Sequence, residues 1–122
     1  MKITCVNGSA RNNGSCAYII DSFVSGVLEN NADVEIKKYS MATANVNFCF
    51  GCKECYENGK CVQNDDVEMI VDDILSSDFV LIVSPSYWAD VPGQLKTFLT
   101  EIRRLAIRMR KEQKHLKKVL RV

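Results

Sequence analysis

Three segments of the chain have the hydrophobic pattern of β-strands. Residues Lys2 to Asn7 form a short, mostly apolar segment, and Val34 and Ile36 alternate with polar residues toward Tyr39. The third segment, Phe79 to Val83, is a continuous run of five apolar residues. A strand that helices bury on both faces has such a run, whereas a half-exposed strand alternates. The pattern predicts three strands, with Phe79 to Val83 at the centre of the sheet.

Apolar residues spaced three and four apart predict helices between these strands. One helix spans Cys16 to Leu28, and another follows Asp65 and Asp66, which are expected to cap it. The order strand, helix, strand, loop and helix, strand, helix predicts parallel strands joined by right-handed crossovers. The expected fold class is α/β, an open parallel sheet with helices on both faces. The apolar helix positions are Ile19, Ile20, Phe23, Val24, Val27 and Leu28, then Val67, Ile70, Val71, Ile74 and Leu75.

The composition is that of a soluble globular domain. Of the 122 residues, 47% are hydrophobic and 25% charged, so the composition predicts neither disorder nor membrane insertion. The first predicted strand follows Met1 directly, without an apolar leader segment, which predicts a cytoplasmic protein. Structural disulfides are rare in reducing compartments, so the six cysteines are more typical of metal or redox chemistry.

Residues 101–122 differ in charge from the rest of the chain. They contain nine Lys or Arg residues against two Glu, which separates a basic extension from a domain over residues 1–100. Apolar spacings of four and three predict a long helix through this extension, which either pairs with a second copy or folds onto its own sheet. Contact with nucleic acid is not favoured, because aromatic residues are absent among the basic ones. The spaced positions are Leu95, Leu99, Ile102, Ala106, Met109, Gln113, Leu116 and Leu120.

Four cysteines lie within thirteen residues of a segment that lacks helical or strand periodicity. They are Cys49, Cys52, Cys55 and Cys61, with the spacing C-x2-C-x2-C-x5-C. Thiolates two residues apart converge on metal atoms a few ångströms away, which favours a 4Fe-4S cluster. Structural zinc usually joins two separated cysteine pairs, so it fits this spacing less well. Zinc, reduced thiols and a disulfide remain alternatives to the cluster.

The first strand leads into a loop of glycines and hydroxyl residues that opens a helix. Such a loop can direct backbone N–H groups, hydroxyls and the helix dipole at an anion, and Arg11 can add charge-assisted bonds. The loop lacks the lysine of a Walker A motif and the middle glycine of G-x-G-x-x-G, so a monophosphate is favoured. The alternative is a simple turn with a helix cap. The predicted binding residues here are Ser9, Arg11, Asn13, Gly14, Ser15 and Cys16.

The third strand ends in a second candidate loop. In open α/β sheets ligands bind beyond the carboxyl ends of strands where the strand order reverses, and both loops are expected at that point. A proline stiffens this loop, and its aromatic residues can cover a planar ring. On its own, such an aromatic pair is more often part of a core or an interface. The predicted ring-binding residues are Pro85, Ser86, Tyr87 and Trp88.

In this order, the motifs resemble those of the flavodoxin-like NADPH-dependent FMN reductases, and within them the iron–sulfur flavoproteins. The resemblance covers about residues 1 to 100. It is carried by Gly8-Ser9-x-Arg11-x-x-Gly14-Ser15, by Cys49-x-Gly51-Cys52-x-x-Cys55 through Gly59-x-Cys61 and Asp65-Asp66, and by Ser84-Pro85-x-Tyr87-Trp88 followed by Gly93-Gln94-Leu95-Lys96-x-Phe98.

The resemblance implies a flavodoxin-like fold that binds FMN, with the phosphate at residues 9 to 15 and the isoalloxazine ring against residues 84 to 88. It implies an NAD(P)H-dependent oxidoreductase that passes electrons to a small-molecule or protein acceptor, without a catalytic acid or base from the chain. In the iron–sulfur branch, cysteines matching Cys49, Cys52, Cys55 and Cys61 hold a 4Fe-4S cluster. The alternative is an electron carrier or redox sensor that works through the cluster without using NAD(P)H.

The chain departs from the family after about residue 100. A complete member continues with further strands and another ring-contacting loop, whereas the basic extension has no strand-like run. The chain is therefore expected to be a truncated version of the fold, with about three strands and a long C-terminal helix. A third strand without an outer neighbour exposes an apolar edge, which predicts a homo-oligomer. A truncated scaffold with an incomplete flavin site is a further alternative.

Overall fold

β1 and β3 form the centre of a four-stranded parallel sheet with the strand order β2-β1-β3-β4. The computed structural model describes residues 1–103, 107 and 118–121. This order is that of the first four strands of a flavodoxin-like sheet, whose order reverses between β1 and β3. The elements are β1 Lys2–Asn7, α1 Ser15–Asn30, β2 Glu35–Ser40, α2 Cys55–Asn58, α3 Val67–Ser76, β3 Phe79–Val83, α4 Gly93–Glu101 and β4 Lys118–Arg121.

Alternating side chains of the central strands build a separate core on each face of the sheet. On one face, Ile3 and Cys5 of β1 and Leu81 of β3 pack with the buried side of α1. On the other face, Val6 of β1 and Ile82 of β3 pack with α3 and α4. Helices therefore cover both faces, which explains why β3 is apolar along its whole length. The predicted α/β class, with parallel strands between helices, is confirmed.

The predicted elements before residue 100 are confirmed, with small differences at their ends. β1 and β3 have the predicted bounds, α1 begins one residue earlier and ends two residues later than predicted, and β2 runs to Ser40. The short helix α2 within the cysteine loop was not predicted, because four residues carry no helical periodicity. Of the helices in the described part of the chain, none is long and apolar enough to cross a membrane.

The prediction of one long helix through the basic extension is wrong at its end. Lys118–Arg121 form β4, which pairs in parallel with β3 in the register Phe79↔Lys118 and Ile82↔Arg121. The sheet therefore has four strands rather than about three. β4 covers the outer edge of β3. β3 is therefore not an edge strand, and the prediction that its apolar edge is exposed is wrong. The sequence Lys-Val-Leu-Arg is too short to show strand periodicity, and only the neighbouring strand selects its conformation.

The apolar positions at the start of that predicted helix pack onto the chain's own sheet. Leu95 is fully buried, and Leu99 and Ile102 pack against the same core. For these three residues, the packing agrees with the alternative prediction, in which the helix folds onto its own sheet. The remaining positions before β4, Ala106, Met109, Gln113 and Leu116, lie outside the described residues. The prediction of pairing between two copies of the chain is not tested by the side chains that are described.

A partly buried carboxylate, Asp73 of α3, ties this helix to two strands. Lys2 Nζ of β1 donates to Asp73 Oδ1 at 2.6 Å, and the hydroxyl of Tyr39 on β2 donates to Asp73 Oδ2. Burial, together with the hydrogen bond to Asp73 and its charge, raises the pKa of Tyr39 to about 12. Burial alone would raise the pKa of Asp73, but the bonds from Lys2 and Tyr39 outweigh it and lower this pKa. The native state therefore favours ionised Asp73 and neutral Tyr39.

We predict that Asp73→Asn lowers the free energy of unfolding by about 1 to 3 kcal/mol at neutral pH, because it removes a charged acceptor of two hydrogen bonds. The pKa of Asp73 is lowered on folding, so its contribution is present above the carboxyl's ordinary pKa and is lost as pH falls through the folded value. The unfolding free energy of the variant should therefore fall less on acidification than that of the wild type. Urea unfolding at a series of pH values measures both effects.

The control for this variant is Asp21→Asn, which removes a carboxylate from an exposed ion pair. Asp21 Oδ1 lies 2.7 Å from Lys38 Nζ, but the two side chains are 65% and 48% exposed. Exposed pairs contribute little, so the unfolding free energy of this variant should stay within about 1 kcal/mol of the wild type. Equal losses in the two variants would contradict the role given to Asp73.

Candidate functional site

The carboxyl ends of β1 and β3 lie against each other at Gly8. The backbone N–H of Gly8 donates to the carbonyl of Val83 at 2.8 Å. A Cβ on Gly8 would lie 2.5 Å from Leu95 Cδ2 and 3.1 Å from Ser84 Cβ. Both distances are shorter than ordinary van der Waals contact, so a side chain at residue 8 would force its neighbours to shift. The absence of a side chain thus brings the loops that follow β1 and β3 together.

The loop between β1 and α1 is held by its own polar side chains. Asn7 Oδ1 accepts from the Ser9 N–H at 3.0 Å, and Ser9 Oγ accepts from the Arg11 N–H at 3.1 Å. Ser40 Oγ at the end of β2 donates to Asn12 Oδ1 at 2.7 Å, which fixes the far side of the loop. These bonds use short side chains close to the backbone, and the side chains of Arg11 and Asn13 in the same loop are exposed.

The amino end of α1 combines several features that favour an anion. Gly14 is the N-cap and provides no side-chain cap, and the first turn carries no acidic residue. The first N–H groups of a helix lack intrahelical partners and carry partial positive charge. A Cβ on Gly14 would lie 3.8 Å from Arg11 Nε, so the guanidinium lies beside the start of the helix. The loop thus presents N–H groups and one cation to the same side.

The predicted phosphate residues differ in exposure. The side chains of Arg11, Asn13 and Ser15 are exposed, and Gly14 is half-buried, so these four residues line the surface of the loop. Ser9 and Cys16 are buried. Burial raises the pKa of the Cys16 thiol above its ordinary value, which keeps it protonated and suits a packing role. Cys16 packs in the core beneath the loop with Ile20 and Val24.

The loop after β3 ends in a tight hairpin that displays an aromatic side chain. The N–H of Tyr87 donates to the Asp90 carbonyl at 2.7 Å, and the N–H of Asp90 donates back to Tyr87 at 3.0 Å. The two residues between them, Trp88 and Ala89, have φ values of 50° and 60°. Trp88 is fully exposed, while Tyr87 is half-exposed. Pro85 is half-buried and Ser86 is exposed at the base of the same loop.

The conformation of this hairpin is costly for its sequence. Positive φ at both central positions of a two-residue turn is normally provided by Asn-Gly or Gly-Gly. Residues with side chains in this region cost about 1 to 3 kcal/mol each. Asp90 offsets part of the cost, because it accepts from the Val91 N–H at 2.7 Å and from Lys96 Nζ at 3.2 Å. The turn holds the Trp88 indole at the carboxyl edge of the sheet.

The cysteine loop is fixed to α3 by the two aspartates at the start of this helix. Asp65 Oδ1 caps the helix by accepting from the Val67 N–H at 3.1 Å, which confirms a capping role for Asp65. Its second oxygen accepts from the Asn47 N–H at 3.0 Å. Asp66 makes no side-chain cap and instead accepts from the Asn45 N–H at 2.7 Å. The two carboxylates therefore hold both ends of the loop together.

The four predicted metal ligands are free thiols in this one loop. Cys55 is buried, Cys49 and Cys61 are half-buried, and Cys52 is exposed. The Gly51 N–H donates to Cys49 Sγ, and the Gln63 N–H donates to Cys61 Sγ, both at 3.4 Å. In the part of the chain that the structure describes, no three His, Cys, Asp or Glu side chains are arranged to hold a metal ion. The donor set has the type and spacing that a cluster needs, but its sulfur atoms do not converge.

A residue of the basic extension contacts this loop. Arg103 Nη2 donates to Cys49 Sγ at 2.9 Å, and its guanidinium lies 5.8 Å from the centre of the Tyr56 ring. Burial alone would lower the pKa of Arg103, but the neighbouring Cys49 and Cys55 and the hydrogen bond to Cys49 outweigh it and raise this pKa. The contact joins the end of α4 to the cysteine loop.

The sequence alone did not indicate several of these contacts. Asn7, Asp90 and Arg103 were given no role, although each now positions a candidate loop. A polar residue that ends an apolar strand was a usable signal for Asn7. Arg103 gave no separate signal, because it is one of many basic residues in its segment. Only the tertiary contact distinguishes it from the others.

With this geometry established, comparison with known proteins identifies the family. The sequence model of the NADPH-dependent FMN reductases matches residues 1–121. The chain belongs to the NADPH-dependent FMN reductase family. The match includes the loops after β1 and β3, together with the cysteine loop.

Several relatives found by sequence comparison carry the name iron–sulfur flavoprotein. The chain is 39% identical over 99 residues to an iron–sulfur flavoprotein of Clostridioides difficile, covering 80% of this chain and 44% of that protein. It is 32% identical over 107 residues to an iron–sulfur flavoprotein of Methanocaldococcus jannaschii, covering 88% of this chain and 54% of that protein. The chain thus spans about half the length of the relatives it matches.

Solved structures share the fold of this FMN reductase family member. The apo form of an NADH:FMN oxidoreductase aligns with a TM-score of 0.60 at 22% identity, over 83% of this chain and 49% of that one. The azoreductase AzrA aligns with a TM-score of 0.67 at 11% identity, over 84% of this chain and 55% of that one. At these identities the likeness shows the flavodoxin-like fold alone.

We predict that Gly8→Ala lowers the free energy of unfolding by about 1 to 3 kcal/mol, because the new methyl group overpacks Leu95 and Ser84. Denaturant unfolding measures the loss. Gly26→Ala is the matched control, since a Cβ on Gly26 meets nothing within 4 Å and the residue lies within α1. The control should stabilise the protein by about 0.5 to 1 kcal/mol through helix propensity. A neutral Gly8→Ala would contradict the close approach of the two loops.

Proposed function

We propose that the protein is an FMN-dependent oxidoreductase that accepts electrons from NAD(P)H and passes them to a small-molecule or protein acceptor. The observation that carries the proposal is the contact between two loops at the β1/β3 switch point, where Gly8 bonds to Val83. Ligands of open α/β sheets bind at this point. Membership in the FMN reductase family supports the choice of ligand.

The loop after β1 fits the phosphate end of FMN. A phosphate monoester needs N–H donors and positive charge, which the first turn of α1 and Arg11 provide on one side of the loop. Exposed Asn13 and Ser15 can add side-chain hydrogen bonds to the same group. The buried Ser9 acts differently, since its hydroxyl shapes the loop by accepting from the Arg11 N–H.

The loop after β3 fits the ring end of FMN. Pro85 and Ser86 lie directly after the central strand, where backbone groups can meet the heteroatoms of a planar ring. The hairpin holds Tyr87 and Trp88 with large exposed aromatic surfaces next to this position. Aromatic side chains stack on planar rings and exclude water from one face. The cost of the hairpin conformation is consistent with a functional requirement for this display.

In this proposal FMN supplies the redox chemistry, because bound flavin accepts a hydride from a nicotinamide and releases electrons in pairs or singly. The chain's own residues bind and orient. Arg11 and the start of α1 hold the phosphate, the 85–88 loop holds the ring, and no side chain is required as an acid or base.

A second candidate function adds an iron–sulfur cluster on Cys49, Cys52, Cys55 and Cys61. Four thiols on one loop, two of them already accepting backbone N–H groups at sulfur, favour it. Relatives named iron–sulfur flavoproteins support the same assignment. The sulfur atoms would have to move together when iron binds, as metal sites commonly form only with their metal. A protein with this cluster would work as an electron carrier or redox sensor.

The assembly state belongs to the same proposal. We propose a homo-oligomer, because the indole of Trp88 and the rings of Phe48 and Phe50 are largely exposed beside the candidate site. A single-chain mass in light scattering would contradict the proposed homo-oligomer.

The alternative to a flavin-dependent oxidoreductase is a scaffold whose flavin site is incomplete.

We predict that Arg11→Ala weakens FMN binding several-fold, equivalent to about 1 kcal/mol, because a charge-assisted bond to the phosphate is lost. Quenching of flavin fluorescence during titration gives the Kd. Lys38→Ala is the control, since it removes the same charge from an exposed ion pair on β2. Riboflavin, which lacks the phosphate, should bind wild type and Arg11→Ala equally. Unchanged FMN affinity in Arg11→Ala would remove Arg11 from the site.

We predict that the FMN-loaded protein oxidises NAD(P)H steadily in the presence of an artificial electron acceptor. The loss of NAD(P)H absorbance measures the rate, with free FMN at the same concentration as the control. Binding of FMN without a rate above that control would favour the electron carrier. Absence of FMN binding in equilibrium dialysis would favour the incomplete scaffold.

A further inference from the structure

Arg103 makes a long-range side-chain hydrogen bond to a sulfur atom of the cysteine loop. Its Nη2 donates to Cys49 Sγ at 2.9 Å across a sequence separation of 54 residues. The same guanidinium lies over the ring of Tyr56, 5.8 Å from its centre. A guanidinium near an aromatic ring is attracted to the ring electrostatically, and its N–H groups remain available as hydrogen-bond donors. One of these donors in Arg103 is directed at Cys49.

The Cys49 sulfur thus receives two donors of different strength. The backbone N–H of Gly51 lies 3.4 Å away, and the charged guanidinium of Arg103 lies 2.9 Å away. Gly51 has φ of 75°, a left-handed conformation that glycine adopts without strain. Bonds from a charged donor are about twice as strong as neutral ones. Arg103 is therefore the stronger influence on the position and the charge of this sulfur.

We propose that Arg103 is a positioning residue that fixes Cys49 Sγ and raises the reduction potential of the iron–sulfur cluster. The inference rests on the cluster proposed above for Cys49, Cys52, Cys55 and Cys61. It assigns a role to one member of the basic extension.

The sign of the effect follows from electrostatics. Hydrogen bonds to the sulfur atoms, net charge and solvent exposure set the potential of a cluster. Reduction adds one electron, so a cation held beside a ligating sulfur stabilises the reduced form more than the oxidised form. Arginine remains charged at all accessible pH values, so the effect does not depend on its protonation. The midpoint potential is therefore higher with Arg103 than without it.

The position of Arg103 also connects the two candidate sites. It follows the end of α4 by two residues, and α4 begins directly after the hairpin that carries Trp88. Lys96 of α4 bonds to Asp90 of that hairpin, while Arg103 bonds to the cysteine loop. α4 and the residues that follow it therefore contact both the hairpin after β3 and the cysteine loop.

The test compares wild type with Arg103→Gln and Arg103→Lys after anaerobic reconstitution with iron and sulfide. Redox titration followed by electron paramagnetic resonance gives the midpoint potential of each protein. Arg103→Gln should shift the one-electron equilibrium about ten-fold toward the oxidised form, or about 59 mV to more negative potential. Arg103→Lys keeps the charge but loses the planar fork, so its potential should lie between the other two.

The control is Lys53→Gln, which removes one positive charge from an exposed side chain of the same loop. Its potential should stay close to that of the wild type. An Arg103→Gln potential equal to wild type would overturn the inference, and so would an equal shift in Lys53→Gln. If Arg103→Gln does not retain iron, an Arg103→Lys potential below wild type supports the inference and an unchanged one overturns it.

Failure of the cluster proposal and failure of the role of Arg103 give different experimental results. Wild-type protein without iron and acid-labile sulfide after reconstitution would overturn the cluster, and the inference with it. Wild type that carries a cluster, with an Arg103→Gln potential that does not move, overturns the role of Arg103 alone.

Discussion

The close approach of β1 and β3 at Gly8 is the constraint on which the candidate site depends. The bond from the Gly8 N–H to the Val83 carbonyl joins the two strands at their carboxyl ends. Leu95 of α4 and Ser84 fill the space that a side chain at residue 8 would need. The loop after β1, the loop after β3 and the start of α4 therefore meet at this one close contact. The strand order places this contact at the reversal point of the sheet.

α4 begins near that contact and leads to Arg103, which bonds to the cysteine loop. α4 is buried through Leu95 and Phe98, and it ends two residues before Arg103. The cysteine loop is anchored at the other side by Asp65 and Asp66, which hold its flanks to α3. Two rigid helices thus frame a loop whose own sulfur atoms are not brought together. In the proposal that this loop binds iron, its sulfur atoms would move together while its ends stay in place.

The basic extension shows how tertiary context overrides a local pattern. Its spacing predicts one helix from Leu95 to Leu120, and Leu95, Leu99 and Ile102 do follow that spacing onto the core. Residues 118–121 nevertheless form a strand, because the apolar edge of β3 offers an unpaired row of backbone groups. Pairing with that edge stabilises an extended conformation that four residues alone would not adopt.

The sequence by itself determined most elements before residue 100 and indicated a candidate chemistry for three loops. Periodicity located β1, β3, α1 and α3, because buried faces repeat at intervals that the backbone geometry fixes. The order of residues such as Gly8, Arg11 and Cys49 indicated a phosphate loop and a thiol cluster before any contact was known. Only the tertiary structure decided that β4 covers β3, that Trp88 is displayed on a hairpin, and that Arg103 reaches Cys49. These features depend on contacts between residues far apart in the chain, which no local pattern encodes.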